Sequence, residues 1–361
     1  MPVAIHREIG QLLIGSVPGR VVPPEVCALA REFQLGGVTI FSRNIEGPDQ
    51  IEDLSAEVQR LGEDLPLWVA VDQEGGRVAR LEHPFTIWPS MAALGRSGDI
   101  ELAARFASAL AAELRAVGIS LDFAPVLDIH TNLANPVIGD RALAEDADSV
   151  ARLGAALVRG LQAGGVAACG KHFPGHGDTS LDSHLDLPVV EQPPDRLRRV
   201  ECVPFRAAVE AGVAFIMTAH VLVPTIDAER PATLSPSIVR AILREEIGYE
   251  GVILSDALEM KAISDRWPVP DAAVSAILAG CDGVLVCNGD IATQVEVIEA
   301  LIHAVEDGRL PVGRVEDALA RQRRAKERFL DKAVLTATHG WRGVVGCDQH
   351  RRLADEMASF L

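Results

Sequence analysis

The sequence predicts an α/β protein built as a single (β/α)8 TIM-type barrel. Eight short apolar segments alternate with longer segments of helical pattern along the 361 residues, an alternation typical of a parallel sheet with helical crossovers. The apolar segments are hydrophobic on both faces, as strands are when helices cover one side and a packed interior the other. With 48% hydrophobic residues the chain can fill a large core, and single barrels of about 250 residues or more are common.

An open, doubly wound sheet is the structural alternative to a barrel. No GxGxxG segment opens the first predicted helix and no P-loop sequence occurs, so a nucleotide-binding fold has little support. We therefore assign residues 1–334 to the barrel domain. Residues 335–361 hold three glycines and then a short helical pattern, which predicts a short C-terminal helical extension of unknown role.

The predicted strands are short runs of apolar residues, and most are followed by polar or turn-forming ones. The fourth is bracketed by Asp122 and Asp128, and the fifth leads directly into a polar loop. In order, the strands are predicted at residues 11–16, 36–41, 67–71, within 120–129, 165–171, 214–218, 251–255 and 282–286.

The segments between the strands carry the signals of helices. The first begins at Pro23, where the missing N–H of proline has little effect, and the third is long and rich in alanine. In order, the helices are predicted at residues 23–34, 49–61, 99–117, 146–163, 194–211, 236–247, 271–278, 293–306 and 315–332.

The composition limits the partners and the compartment. The net charge of −17, from 34 Lys+Arg against 51 Asp+Glu, argues against nucleic acid or an anionic membrane as partner. No apolar run of membrane-spanning length occurs, and the apolar run at residues 9–17 is too short for a secretion signal. The six cysteines are scattered without a CxxC pair, which is typical of reduced thiols. We expect a cytoplasmic protein that is a monomer or a weak dimer.

Six of the eight predicted strands end in polar groups. In a barrel these groups meet at one rim and line one pocket, although each alone could be a cap or turn residue. Turn chemistry does not explain Lys, His and Arg at these positions, so the set favours a site. The residues are Asp72, Arg77, Asp128, Lys171, His172, His220, Asp256 and Asn288.

The loop after the fifth strand is the richest in chemistry. Between Lys171 and His184 lie three histidines, two aspartates and a lysine, with glycines and a proline that oppose a regular helix. Asp182 and His184 are two residues apart, so in an extended loop their side chains point the same way. The carboxylate then holds the imidazole in one tautomer, which suits a proton donor and acceptor. The alternative is an Asx-type turn beside an exposed histidine.

Asp256 is a carboxylate at the end of an apolar strand. Such a group, directed into a pocket, suits a nucleophile that attacks an electrophilic carbon. The alternative is a cap on the following helix.

A metal site is the competing interpretation of the same loop. Its possible ligands are His172, His176, Asp178, Asp182 and His184. Their spacing matches no HExxH or CxxC pattern, and Lys171 is an unfavourable neighbour for a cation. We therefore predict no metal.

Several segments together resemble glycoside hydrolase family 3, in particular its single-domain β-N-acetylglucosaminidases of the NagZ type. They follow the family order over about 300 residues, and the Lys-His-Phe-Pro-Gly-His-Gly stretch with Asp-x-His after it is the most specific. The matching segments are 36–44, 71–78, 122–128, 138–141, 170–179 with 182–184, and 255–260.

The resemblance implies a retaining, exo-acting catalytic domain without metal or organic cofactor. It assigns Asp256 as the nucleophile that forms a covalent glycosyl-enzyme, His184 as the acid/base and Asp182 as its dyad partner. The residues expected to hold the terminal N-acetylglucosamine are Asp72, Arg80, Arg141, Lys171 and His172. The implied substrates are muropeptides, cleaved during peptidoglycan recycling.

Alternatives to this function stay open on the sequence alone. A family 3 enzyme could act on another β-linked sugar such as glucose or xylose. A histidine acid/base repels phosphate less than a carboxylate does, so a phosphorylase is a further hypothesis. A metal-dependent hydrolase and a non-catalytic sugar-binding protein are the alternatives from other classes.

Overall fold

The computed structural model describes residues 3–330 and 340–361. Its sheet is a closed barrel of eight parallel strands, in which the last strand pairs with the first. This confirms the predicted barrel over the open sheet. The barrel strands are β1 (Leu13–Ser16), β2 (Gly37–Ile40), β3 (Trp68–Val71), β4 (Leu121–Asp122), β5 (Ala167–Phe173), β6 (Phe215–Thr218), β9 (Val252–Ala257) and β10 (Gly283–Leu285). Outside the barrel, β7 (Leu222–Val223) and β8 (Asp227–Pro231) form an antiparallel hairpin.

Helices and shorter turns surround the barrel. The helices are α1 (Val3–Glu8), α2 (Pro24–Phe33), α3 (Pro48–Arg60), α4 (Met91–Ser97), α5 (Ile100–Ala116), α6 (Ala147–Ala163), α7 (Pro194–Arg199), α8 (Cys202–Glu210), a π-helix (Ser237–Glu246), α9 (Lys261–Ser264), α10 (Val269–Ala279), α11 (Ile291–Glu306), α12 (Val312–Phe329) and α13 (Asp348–Ala358). Short 3₁₀ turns occupy Ile9–Leu12, Ser42–Asn44, Gly139–Arg141 and Ala232–Leu234. No helix in the two described ranges combines the length and the hydropathy needed to cross a membrane.

Aspartate caps fix the starts of three long helices. The side chain of Asp99 accepts hydrogen bonds from the first turn of α5, and Asp146 and Asp290 do the same for α6 and α11. Each carboxylate satisfies backbone N–H groups that have no partner inside the helix. The predicted starts at residues 99 and 146 are therefore accurate to one residue.

The interior of the barrel is packed with apolar side chains rather than open. Trp68 and Phe215 meet edge to face there, with ring centroids 5.1 Å apart. The ring centroid of Phe329, at the end of α12, lies 6.4 Å from that of Trp68. Phe329 thereby fills the amino-terminal end of the barrel. The free space therefore lies at the other end, where the strands have their carboxyl termini.

One predicted helix is divided in the structure, and proline explains the break. The helix expected at 194–211 is two helices, α7 and α8, with Val200 in a non-helical conformation between them. A continuous helix would place the ring of Pro204 against the carbonyl of Val200, four residues earlier. The fourth strand lies within the predicted range 120–129; β4 contains two residues, and Pro125, which follows it, has no N–H for the ladder. The hairpin of β7 and β8 was not predicted.

The predicted C-terminal helix is α13, and it packs on the barrel helix α5. Glu113 of α5 is buried and receives four hydrogen bonds. Two come from the N–H and hydroxyl of Thr86, at 3.0 and 2.6 Å. The others come from the N–H of Gly346 at 3.0 Å and from Nδ1 of His350 at 2.8 Å. The predicted boundary between residues 334 and 335 lies outside the described residues.

Candidate active site

A cavity of about 530 Å³ opens at the carboxyl ends of the barrel strands. Seven of the eight predicted site residues line it, and the eighth, Asp182, holds His184 from behind. The seven lining residues are Asp72, Arg80, Arg141, Lys171, His172, His184 and Asp256. The barrel therefore brings together residues that are up to 184 positions apart in sequence, from Asp72 to Asp256.

Two carboxylates, the partly buried Asp72 and the buried Glu74, hold the cations of the cavity floor. Lys171 Nζ lies 2.7 Å from Asp72 Oδ1 and 2.6 Å from Glu74 Oε1. Arg141 binds Glu74 through two hydrogen bonds of 2.9 and 2.8 Å. Arg80 lies 3.4 Å from Asp72. The side chains that the resemblance assigns to sugar binding are thus fixed before any ligand arrives, so little ordering is needed on binding.

Glu74 is a member of this cluster to which the sequence analysis gave no role. Burial alone would raise the pKa of its carboxyl, but the charges of Lys171 and Arg141 and their hydrogen bonds lower it to about 2. For Lys171, burial alone would lower the pKa, but the charges of Asp72 and Glu74 raise it above its ordinary value. The only sequence signal was the position of Glu74 two residues after Asp72, at the end of the third strand.

Replacing Glu74 by alanine is expected to destabilise the protein by about 3–5 kcal/mol at neutral pH, since two buried cations lose a partner. The pKa of Glu74 falls from 4.5 to about 2 on folding, so its contribution is complete above pH 4.5 and is lost as the pH falls through 2. Denaturant unfolding measures the free energy of unfolding of wild type and of Glu74→Ala. The difference between these two free energies should become smaller as the pH is lowered from 4.5 to 2. Glu63→Ala, which breaks an exposed pair with Arg7, is the control and should have a much smaller effect. A difference that does not change with pH would contradict this account.

Asp128 orients His172, near the end of β5, and His176, in the loop that follows. Its Oδ2 accepts a hydrogen bond from His172 Nδ1 at 2.7 Å, and its Oδ1 accepts one from the backbone N–H of His176 at 2.6 Å. Burial would raise the pKa of the Asp128 carboxyl, but the charge and hydrogen bond of His172 lower it. Because the carboxylate only accepts, Nδ1 of His172 carries a proton and Nε2 is left for the cavity.

His176 lies beneath the loop rather than among metal ligands. Its Nδ1 lies 2.7 Å from the Thr179 hydroxyl and its Nε2 lies 3.2 Å from the Ser183 hydroxyl. Burial, followed by the charge of His172, lowers the pKa of His176 to about 4, so the ring is neutral at neutral pH. His176 thereby anchors Ser183, which stands between Asp182 and His184. Among the described residues, no three His, Cys, Asp or Glu side chains are grouped to hold a metal ion.

Asp182 and His184 form a hydrogen-bonded pair at the mouth of the cavity. Oδ1 of Asp182 lies 2.8 Å from both the Nδ1 and the backbone N of His184. The contact with the backbone N–H of His184 is the Asx-type turn that the sequence analysis gave as the alternative to a dyad. The turn and the Asp182–His184 dyad are therefore both present. Burial would raise the pKa of Asp182, but the hydrogen bonds from His184 lower it. The His184 side chain is 65% exposed, and its Nε2 is left to exchange a proton.

Asp256 lies at the end of β9 and does not cap a helix. Its Oδ1 accepts a hydrogen bond of 2.7 Å from the N–H of Ala257, whereas α9 begins only at Lys261 and has Met260 as its cap residue. Burial would raise the pKa of Asp256, but the nearby His220, His172 and Lys171 and the Ala257 N–H lower it. The carboxylate is therefore ionised at neutral pH, as a nucleophile requires.

Two further polar residues fix the ends of the strands beside Asp256. Buried His220 binds the Ala257 carbonyl through Nε2 at 3.0 Å. Glu259 Oε1 accepts hydrogen bonds from the N–H groups of Cys287 at 2.7 Å and Asn288 at 3.0 Å, which ties the loop after β9 to the one after β10. Neither contact follows from a sequence motif, because each joins elements that are distant in the chain.

Comparison with known proteins gives consistent matches over most of the chain. A family model described as the glycosyl hydrolase family 3 N terminal domain matches residues 4–325. Beta-hexosaminidase A from Pseudoalteromonas piscicida is 35% identical, and the alignment covers 93% of this chain and 60% of that protein. The chain thus spans less than two thirds of that relative's length.

Two solved structures are similar to the whole barrel. A glycoside hydrolase family 3 β-N-acetylglucosaminidase from a Paenibacillus strain has a TM-score of 0.93 at 41% identity, covering 98% of this chain and 68% of that chain. NagZ from Neisseria gonorrhoeae, in complex with N-trifluoroacetyl-D-glucosamine, has a TM-score of 0.80 at 34% identity, covering 97% of each chain.

Proposed function

We propose a function from the premise that this chain belongs to glycosyl hydrolase family 3. The family and the glycoside hydrolase class expected from the sequence motifs are thereby confirmed. Within the family, we propose a retaining exo-β-N-acetylglucosaminidase that removes a terminal β-linked N-acetylglucosamine. Relatives with β-hexosaminidase or β-N-acetylglucosaminidase in their names cover more than 90% of this chain.

The observation that carries the proposal is the presence of two complementary groups in one cavity. Asp256 is ionised at the end of β9, and His184 lies on the loop after β5, where Asp182 holds its Nδ1; both Asp256 and His184 line the cavity. A nucleophile and a separate proton donor are the two groups that a retaining glycosidase needs. Here a histidine takes the place of the second carboxylate.

In the proposed first step, an oxygen of Asp256 attacks the anomeric carbon of the bound sugar. The glycosidic bond breaks as protonated His184 gives its proton to the departing oxygen, leaving an ester between Asp256 and the sugar. In the second step neutral His184 takes a proton from water as the water oxygen attacks the anomeric carbon, which breaks the bond to Asp256 and releases its carboxylate. Two inversions at the anomeric carbon give net retention.

The cavity floor provides hydrogen-bond donors for the sugar hydroxyls. Lys171, Arg80 and Arg141 are cations held in place by Asp72 and Glu74. Donors that are fixed in advance need no reorganisation as the oxocarbenium-like transition state develops. His172 adds a ring nitrogen, since its other nitrogen is bound by Asp128.

The test is release of an aryl alcohol from its N-acetyl-β-glucosaminide in excess chelator, beside the matching β-glucoside and β-xyloside. We expect turnover of the N-acetyl sugar alone, with the β-anomer as the first product by NMR. Turnover of only the glucoside or xyloside would reject the proposed specificity. An α-anomer as first product would reject the covalent route, and inactivation by the chelator would favour the metal-dependent alternative.

The natural substrate and the acceptor are finer parts of the proposal. We propose muropeptides as substrates, and mass spectrometry of such fragments should show the loss of one N-acetylglucosamine per chain. Adding phosphate to the same reaction distinguishes hydrolysis from phosphorolysis, because only a phosphorylase forms sugar 1-phosphate.

We also propose that the protein works in the cytoplasm. All six cysteines are free thiols, and three of them are buried, which is consistent with a reducing compartment. The monomer or weak dimer stays a prediction, as does the domain boundary at residues 334 and 335.

A further inference from the structure

Lys261 is a cation at the mouth of the cavity with no partner of its own. It is the first residue of α9, it lines the cavity, and its side chain is exposed. The Lys261 side chain makes no hydrogen bond or ion pair with any other described residue. The chain has only four lysines, and two of the others, Lys171 and Lys326, are buried.

The other cations that line the cavity are already neutralised. Lys171 and Arg80 pair with Asp72, and Arg141 pairs with Glu74. An anionic group on a ligand would have to compete with those carboxylates. Lys261 offers a positive charge without such competition.

Lys261 lies on the side of the cavity where we expect the leaving group, not where we expect the terminal sugar. The loop that carries His184 contacts the start of α9, where the N–H of Ala262 donates to the Ser183 carbonyl at 3.2 Å. A second contact joins Arg266 to Asp186 at 2.8 Å. Lys261 therefore lies on the same side as His184. In the proposed mechanism His184 protonates the departing oxygen, so the aglycone leaves past this side.

We propose that Lys261 binds a carboxylate on the aglycone and makes the enzyme prefer leaving groups that carry a carboxylate. The inference rests on the proposed function and adds the chemical class of the group beyond the scissile bond. An ammonium on a flexible stem is a point charge that accepts a carboxylate in several positions. At an exposed rim the preference is modest, about two- to fivefold, and it weakens as salt is added.

The experiment uses two aryl N-acetyl-β-glucosaminides, one with a carboxylate and one with a carboxamide at the meta position of the ring. The ratio of their kcat/KM values is measured for wild type and Lys261→Met. Any difference in leaving-group acidity cancels when the two ratios are compared. We expect the wild-type ratio to exceed the Lys261→Met ratio two- to fivefold in low salt, and Lys261→Glu to lower it further.

Arg309→Gln is the matched control. It removes one positive charge from an exposed residue that pairs with Asp307, outside the cavity, and it should leave the ratio at the wild-type value. Equal ratios in wild type and Lys261→Met, or an equal fall in Arg309→Gln, would overturn the role of Lys261. Turnover of the carboxamide by every variant shows that the reaction itself is intact. If wild type cleaves neither substrate, the proposed function fails and this inference fails with it.

Discussion

Turnover of an aryl N-acetyl-β-glucosaminide is expected to fall by roughly 10⁴- to 10⁶-fold when Asp256 is replaced by glycine. The reason is that the Asp256 carboxylate forms the bond to the anomeric carbon in the proposed first step, and no other group replaces it. Asp256 is held at the end of β9, with its pKa lowered despite burial, so it is ionised and available. Initial rates with a nitrophenyl substrate measure the loss.

Azide provides a second and more specific readout for the same variant. The space left by the carboxylate admits a small anion, which can attack the anomeric carbon of an activated substrate. The product should be the α-glycosyl azide, because a single displacement inverts the centre. Asp307→Asn, an exposed residue that pairs with Arg309, is the control and should keep wild-type activity. Azide that neither restores turnover nor yields this product would remove Asp256 from the nucleophile role.

Substrates with poor leaving groups are expected to slow by about 10²- to 10⁴-fold when His184 is replaced by alanine, whereas dinitrophenyl glycosides should slow far less. A poor leaving group needs the proton that His184 donates, and an activated phenolate departs without it. Among the residues that the structure describes, the one hydrogen bond to the His184 ring is the 2.8 Å contact with Asp182. A plot of log kcat/KM against leaving-group acidity should therefore be steeper for the variant than for wild type.

The control for His184 is another exposed histidine that is remote from the cavity. His303, in the last turn of α11, is exposed and lines no part of the cavity. His303→Ala should have the slope and the rates of wild type. Equal losses of His184→Ala on good and poor leaving groups would refute the acid/base assignment.

The barrel was predictable because each of its strands is a local signal. An apolar run that ends in a polar residue can be predicted as a strand from its own residues alone. The order of the strands in the barrel then follows from the rules for connections between parallel strands. The convergence of Asp72, Lys171 and Asp256 on one cavity then follows from the barrel itself. Helix ends set by caps, such as Asp99, were accurate for the same local reason.

What the sequence could not predict depends on contacts between distant segments. Glu74 became part of the site only through Lys171 and Arg141, which come from β5 and from the 3₁₀ turn Gly139–Arg141. His220 is positioned by a carbonyl on another strand. The break at Val200 had a local cause, Pro204, and a closer reading of proline positions would have found it.

The four hydrogen bonds to Glu113 cannot all form at the same stage of synthesis, because their donors lie far apart in the chain. Two of them come from Thr86, which precedes Glu113, but His350 leaves the ribosome 237 residues later. At roughly 5–20 residues per second this delay is about 10–50 s. Throughout that interval α5 holds a carboxylate with half of its donors missing. A nascent chain that ends before residue 346 should therefore be more sensitive to protease near α5 than the released protein, as digestion of stalled chains would measure.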